Sequence, residues 1–386
     1  MTKINIKKKV HHKGFNNMFI KGIENIDKKN FVKKILKKIK QQTNENLNFP
    51  YLSEIENSLK KYPYENDSNF KFQINDYEIF EMSRLEEKNF LRYLIYRYKY
   101  KVFPKEKIYD DFPPCVQIEP TSKCNFRCIM CYQSDDTFSS KKSGYMGDLN
   151  LENFKRVIDE IEGNVESVTF ASRGEPTLNK NLSDFLKYCE NKFLALKINT
   201  NVSTLNESKI NDLLSSGLQT IVFSIDSADK DTYEKIRVKS KYERLLKNLE
   251  LFYEIKEKNY SDSKIIVRIS GVLISTDQKI DNMIAQYEKF ADMISFTNMI
   301  PWQSSYDNPI NEVKDPCTEL WRRVFVWQDG LLNPCDYDYK SKLSKYSIKD
   351  ITIKDLWNSD YYNNLRDHHL NGKRSKIYPC NRCIAV

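Results

Sequence analysis

Three cysteines stand close together in Cys124-Asn-Phe-Arg-Cys128-Ile-Met-Cys131, and four more, Cys317, Cys335, Cys380 and Cys383, lie toward the end of the chain. Three thiolates within eight residues can hold three irons of a cubane cluster, and with no fourth cysteine nearby the last iron stays open to another ligand. A structural zinc site wants four ligands, usually as paired Cys-x-x-Cys units, and no histidine follows the triplet at a suitable spacing. The second set reads Cys-x12-Gly-x4-Cys, with Gly330 five positions before Cys335, then a distant Cys-x2-Cys. Ligand count allows zinc or a closed cubane there, and the chemistry alone favours zinc. Of the remaining two thiols, Cys189 sits on the apolar face of a helical segment and reads as a buried structural residue; Cys115 precedes the first strand candidate. His11, His12, His368 and His369 show no metal spacing, and the last two read as surface or supporting groups.

Positioning these residues requires a scaffold, and from residue 116 to about 301 short apolar runs alternate with helical periodicity. Strand candidates are 116–119, 167–171, 194–199, 220–226, 265–270 and 293–297. Between them lie helical segments at 151–162, where Phe154, Val157, Ile158 and Ile161 share a face, and at 182–190, 207–216, 242–258 and 277–290. Alternation of this kind predicts an α/β fold: a parallel sheet with right-handed crossovers forming a partial (β/α)6 barrel of the TIM type. Such barrels carry their sites at the carboxyl ends of the strands. The triplet follows the first strand candidate directly. Polar groups recur at the ends of the others: Gly174 and Glu175 in Ser172-Arg173-Gly174-Glu175-Pro176, Asn199 with Thr200 and Asn201, Ser224 and Asp226, and Arg268 followed by Ser270-Gly271-Val272.

The rest of the chain frames this region. At 386 residues and 40% hydrophobic, a packed core needs no disulfide staples. The net charge of +9 is local: residues 1–40 hold 13 Lys against Glu24 and Asp27, a balance of +11, which leaves about −2 for the remainder. A general nucleic-acid surface is not expected on so neutral a body. No stretch reaches the roughly 18 apolar residues of a membrane span, and the first nine residues lack the apolar run of a secretory signal, so a cytoplasmic location is expected. Three units are expected: a mostly helical basic arm or cap over 1–110, the barrel over 111–301, and a small metal-stapled module over 302–386. Within the arm, Phe31, Val32, Ile35, Leu36 and Ile39 among lysines predict a basic amphipathic helix suited to a membrane surface or an acidic ligand, or else to plain solvation. A further helix is expected over 83–100.

The Cys-x3-Cys-x2-Cys triplet resembles the signature of the radical S-adenosylmethionine (SAM) superfamily. That resemblance implies a [4Fe-4S] cluster on Cys124, Cys128 and Cys131 whose open iron chelates the amino and carboxylate groups of SAM, and reductive cleavage of SAM to a 5′-deoxyadenosyl radical. The segment around Gly174 and Glu175 is similar to the family's Gly-Gly-Glu-Pro, which receives the SAM amino group. Asn199, Ser224 and Asp226 would then meet ribose hydroxyls or the SAM carboxylate, Arg268 the carboxylate, and Val272 the adenine. Arg173 stands where the family usually has Gly and is a candidate contact for an anionic substrate; Met130 stands where an aromatic residue is common.

The second cysteine set resembles the C-terminal SPASM and twitch extensions, which implies an auxiliary [4Fe-4S] cluster on Cys317, Cys335, Cys380 and Cys383. The full SPASM form uses seven cysteines and two clusters; four suit the twitch form. The Tyr-Gln after the triplet, Ser172-Arg-Gly-Glu-Pro176, and Leu320-Trp-Arg-Arg-Val-Phe-Val-Trp327 resemble radical SAM proteins of bacterial polysaccharide loci. The implied substrate is a carbohydrate, free or nucleotide-linked, epimerised or oxidised at a hydroxyl-bearing carbon, with Arg173, Arg322 and Arg323 as phosphate contacts. An external electron donor such as flavodoxin or ferredoxin is the implied partner. Cys115 is a candidate hydrogen donor, but at the amino end of its strand it is expected on the far side of the barrel from the site. A peptide or protein maturase is the competing enzyme reading, and a zinc-stapled binding protein the non-catalytic one.

Overall fold

The computed structural model describes residues 17–43, 51–65, 69–299 and 305–386. His11, His12 and the expected boundary at 301/302 lie outside them. The described chain begins with strand β1 (Asn17–Ile20) and helices α1 (Lys28–Thr43), α2 (Leu52–Leu59), α3 (Asp76–Ser83) and α4 (Phe90–Glu106). The alternating region follows as β2 (Cys115–Ile118), short α5 (Asp136–Ser139), α6 (Leu151–Ile161), β3 (Ser167–Phe170), α7 (Leu182–Tyr188), β4 (Ala195–Thr200), α8 (Glu207–Leu214) and β5 (Thr220–Ser224). It continues through α9 (Lys230–Ile236), α10 (Tyr242–Asn259), β6 (Ile266–Leu273), α11 (Ile280–Tyr287) and β7 (Met293–Asn298). The chain closes with β8 (Arg323–Val326), β9 (Leu332–Asn333), α12 (Ile353–Asn358) and α13 (Asp360–Leu370).

Strands β2 to β7 pair parallel and in sequence order, as the alternation predicts. Their period of two sorts the side chains. Val116, Ile118, Val168, Phe170, Leu196 and Ile198 point outward into the main core, where Phe154, Val157, Ile158 and Ile161 of α6 are all fully buried. The intervening Cys115, Gln117, Ser167, Thr169, Lys197 and Asn199 line the lumen. A barrel closed around apolar layers would have filled that space; polar alternates leave a cavity.

Three strands that the sequence reading did not place extend the sheet, β1 at one edge and β8 with its antiparallel partner β9 at the other. β8 joins β2 in parallel, Cys115 opposite Arg323 and Ile118 opposite Val326, and so seats the C-terminal module against the barrel edge. β1 pairs antiparallel with β7 at the other edge, Ile20 opposite Met293.

The described residues of the N-terminal segment form a packed unit and not a solvated arm. Val32, Ile35 and Ile39 of α1 are buried with Ile55, Leu59, Leu94 and Phe103, and this cluster continues onto Leu194 and Ala195 of the barrel. The apolar face once open to a membrane reading is therefore spent on the protein's own core. The helix expected over 83–100 begins later, at Phe90, because α3 runs to Ser83 under an Asn75 capping box and a 3-10 turn intervenes at Glu87–Asn89. Among the described residues no helix is long and apolar enough to cross a membrane.

Candidate active site and cysteine centres

The loop after β2 carries the triplet to the carboxyl edge of the sheet. Two backbone bonds clamp it to the turn that ends α9: Arg127 N–H to Val238 O at 2.9 Å and Ile129 N–H to Ile236 O at 3.0 Å. Phe126, Cys128, Met130 and Ile236 form a small apolar cluster with Cys124, Cys131 and Val272 against it. The buried Met130 thus supplies the apolar wall at its position. Burial raises all three thiols, Cys124 to about 12, with Glu175 the next contributor for Cys124. Thiols so placed ionise readily only beside a multivalent cation, which fits a metal cluster.

The second strand end braces this loop. A Cβ on Gly174 would lie 2.1 Å from Thr121 O and 2.6 Å from Lys123 O, so only glycine allows the β3 loop to touch the triplet loop, and Glu175 N–H donates to Lys123 O at 2.9 Å. The Glu175 carboxylate is 3% exposed. It accepts from Thr200 Oγ1 at 2.6 Å and Asn201 N–H at 2.7 Å, as well as from Thr177, and burial raises its pKa.

Arg173 departs from expectation. It is 2% exposed and forms a bidentate pair with Glu119, 2.7 Å from Nε and 2.6 Å from Nη2. Its Nη1 donates to Tyr339 O at 2.9 Å, and Trp327 stacks on the guanidinium at 4.2 Å. An arginine consumed in this way does not meet a substrate phosphate.

The structure divides the other predicted residues between two places. Asp226, fully buried, pairs with Arg237 at 2.7 Å and accepts from Val272 N–H at 2.8 Å. Arg237 in turn lowers the Cys128 thiol against its burial, so Asp226 and Val272 belong to the triplet's surroundings. Ser224 is half-buried at the end of β5. Asn199 and Arg268 face the lumen instead, lining a cavity of about 550 Å³. Cys115 lines that same cavity, with Ser167 Oγ 3.6 Å from its sulfur; it is the first residue of β2, and the residues lining this cavity do not include the triplet. Arg322 and Arg323 line the cavity too, paired with Glu319 at 2.6 and 2.9 Å. Sequence reading missed Gln117, Thr169, Lys197 and Asp336 here. The signal for the first three was present, as polar alternates within short apolar strands. Asp336 accepts from Ser172 Oγ at 2.8 Å, and burial raises it to about 6.

The second cysteine set closes on one point of the fold. Cys317, Cys335, Cys380 and Cys383 line a single cavity although 44 residues separate the middle pair in sequence. Burial raises the four thiols, Cys317 to about 11, and neighbouring cysteines add to it at Cys317, Cys335 and Cys380. Arg374, 1% exposed, holds the surrounding chain by donating to the carbonyls of Asp315, Ala385 and Cys383 at 3.1, 3.0 and 2.8 Å. His369 is buried and accepts from Cys317 N–H at 3.1 Å, with its pKa lowered by burial to about 3; it supports the site rather than facing solvent. Among the described residues no three His, Cys, Asp or Glu side chains are arranged to hold a single metal ion. Glu319 and Tyr337 line both this cavity and the lumen. Cys189 lies in the main core at 1% exposure, as its apolar setting predicts.

Comparison with known proteins matches these two centres. The radical SAM superfamily model covers residues 118–286, and that of the SPASM iron-sulfur cluster-binding domain covers 317–384, which answers the zinc alternative left open by ligand count. An uncharacterized protein of Methanocaldococcus jannaschii is 28% identical over 189 residues, 49% of this chain; the chain spans only 58% of that relative's length. The tungsten-containing aldehyde ferredoxin oxidoreductase cofactor-modifying protein of Pyrococcus furiosus is 23% identical across 64% of this chain and 81% of its own. Among solved structures, Streptococcus suis SuiB bound to SAM shares the fold at a TM-score of 0.51 and 16% identity, over 82% of this chain and 89% of that one. With its triplet on a barrel loop and four cysteines converging in the matched C-terminal segment, the chain carries a radical SAM domain followed by a SPASM iron-sulfur cluster-binding domain, which imply SAM and iron-sulfur clusters as its cofactors.

Proposed function

We propose that this radical SAM enzyme abstracts a hydrogen atom from a hydroxyl-bearing carbon of a carbohydrate, leading to epimerisation or dehydrogenation. Cys124, Cys128 and Cys131 would hold the reductive [4Fe-4S] cluster, and Cys317, Cys335, Cys380 and Cys383 the auxiliary one. When bound, SAM and the reductive cluster, fed by an external donor of the flavodoxin or ferredoxin type, supply a 5′-deoxyadenosyl radical. The chain's own share is to bind, orient and exclude water. Glu175, Asp226 and Val272 lie around the triplet, and Gly174 brings the two loops together; Asn199, Ser224 and Arg268 would meet SAM or substrate from β4, β5 and β6.

The lumen carries this reading. Its volume of about 550 Å³ suits a small molecule, and Gln117, Thr169 and Asn199, able to donate and accept, with the carboxylate of Asp336 as an acceptor, match a ligand rich in hydroxyls. Both outcomes have a group in reach of the lumen. Cys115 would return a hydrogen atom in epimerisation. In dehydrogenation the electron would leave across the wall of Glu319 and Tyr337 toward the auxiliary centre.

The test is anaerobic turnover of reduced enzyme with a panel of sugars and, separately, short peptides, following SAM cleavage. Sugar-dependent cleavage is expected; stimulation by peptides alone would falsify the reading. In deuterated water an isomeric product carrying solvent deuterium marks epimerisation, and a product two hydrogens lighter marks oxidation. Under the first outcome Cys115→Ala stops product formation but not SAM cleavage; under the second it leaves both intact.

A further inference from the structure

The lumen presents an excess of positive charge. Arg97, Lys197, Arg268, Arg322 and Arg323 line it, against the carboxyls of Glu319 and Asp336. The acids nearby are divided: Glu78 between Arg97 at 2.8 Å and Lys101 at 2.9 Å, and Glu319 between Arg322 and Arg323. Lys197 has Glu81 at 3.4 Å. Cations held in a partly desolvated space with shared counter-charges are costly unless an anion completes the site.

One wall of that space comes from outside both matched segments. Helices α3 and α4 contribute Tyr77, Tyr96, Arg97 and Tyr100. The Arg97 guanidinium lies 5.6, 5.5 and 5.2 Å from the three tyrosine rings, and its Nε is fixed on Glu78. Stacked arginines with one edge anchored are suited to bidentate recognition of phosphate, and adjacent tyrosines offer hydroxyls and ring faces.

We propose that the lumen binds a substrate bearing a phosphate ester or diphosphate, and that α3 and α4 of the N-terminal unit are its anion-recognition wall. The sugar to which that phosphate is attached rests on the function proposed above; the anion site does not.

The experiment is calorimetric titration of anaerobically prepared, cluster-loaded enzyme in the presence of SAM, using inorganic phosphate, pyrophosphate, uridine diphosphate and a neutral hexose. At least one phosphate probe is expected to bind at least about tenfold more tightly than the hexose, with affinity falling as salt rises. Preference for uridine diphosphate over pyrophosphate marks a nucleotide-linked substrate; the reverse order marks a simple phosphate ester. Arg322→Gln should weaken that binding about tenfold with iron content and unfolding midpoint preserved; Arg97→Gln should weaken it similarly with iron content preserved but a lowered midpoint, because it leaves the buried Glu78 with Lys101 alone. If Arg97→Gln does not fold, Arg322→Gln, at a half-buried residue, carries the test. Phosphate probes that bind no better than the hexose, or unchanged affinity in Arg322→Gln, overturn the proposal. Phosphate binding without any sugar-dependent SAM cleavage leaves the anion site standing and sinks the carbohydrate reading; a neutral sugar that drives cleavage equally well in Arg322→Gln does the opposite.

Discussion

Arg173 shows how a single residue's role is set by what surrounds it. At a strand end in a parallel barrel an arginine is well placed for an anionic ligand, yet here it joins β2, through Glu119, to the C-terminal module, through Tyr339 and Trp327. Arg173→Met leaves Glu119 buried without its counter-charge and should lower stability by about 3–5 kcal/mol, read as a shift in the denaturant midpoint. Adding Glu119→Leu should restore most of that loss. Gly174 is a tighter constraint, because the atoms in the way are backbone. Gly174→Ala must push the loop of residues 121–123 aside, and the expected result is loss of roughly four irons per chain with the C-terminal domain still folded.

At the scale of elements, the turn after α9 is the support of the triplet loop. Its Arg237 connects Asp226, at the end of β5, with the surroundings of Cys128, so β5, α9 and the loop after β2 move as one. Asp226→Asn strands a buried guanidinium, and a loss of about 3–5 kcal/mol is expected together with poorer iron retention. Unchanged stability with a raised KM for SAM alone would instead make Asp226 a direct SAM contact. The helices are where sequence reading fared best. The faces of α1 and α6 were legible from spacing, since Val32, Ile35 and Ile39, and likewise Phe154, Val157, Ile158 and Ile161, repeat at the helical period. What covers the α1 face was not legible, because α2 and α4 reach it only in the folded chain.

For the whole molecule, three units share one sheet and one cavity. Removing residues 1–110 would uncover Leu194 and Ala195 and open the lumen; the truncated chain should elute as aggregate in size-exclusion chromatography. Stripping iron acts at the other end. Trp321, Trp327 and Trp357 are fully buried, and Trp321 packs in a cluster that reaches Cys380. Chelation should therefore red-shift the tryptophan fluorescence and raise hydrogen exchange over 305–386 well before the main core of the barrel responds.

The sequence by itself determined the cluster-binding triplet and the fold class, while at the four later cysteines ligand count left zinc and a cubane both open. A Cys-x3-Cys-x2-Cys loop is a short spacing and strand–helix alternation a local periodicity, so both survive in the unfolded text of the chain. Only the tertiary structure decided which polar residues share a space. Arg97 and Arg323 come 226 positions apart to one cavity, β1 finds β7 across the sheet, and Arg173 finds Glu119 rather than a ligand. Each of these depends on pairing and burial over long range, where the energy of a charged group is fixed by its neighbours in space and not by its neighbours in sequence.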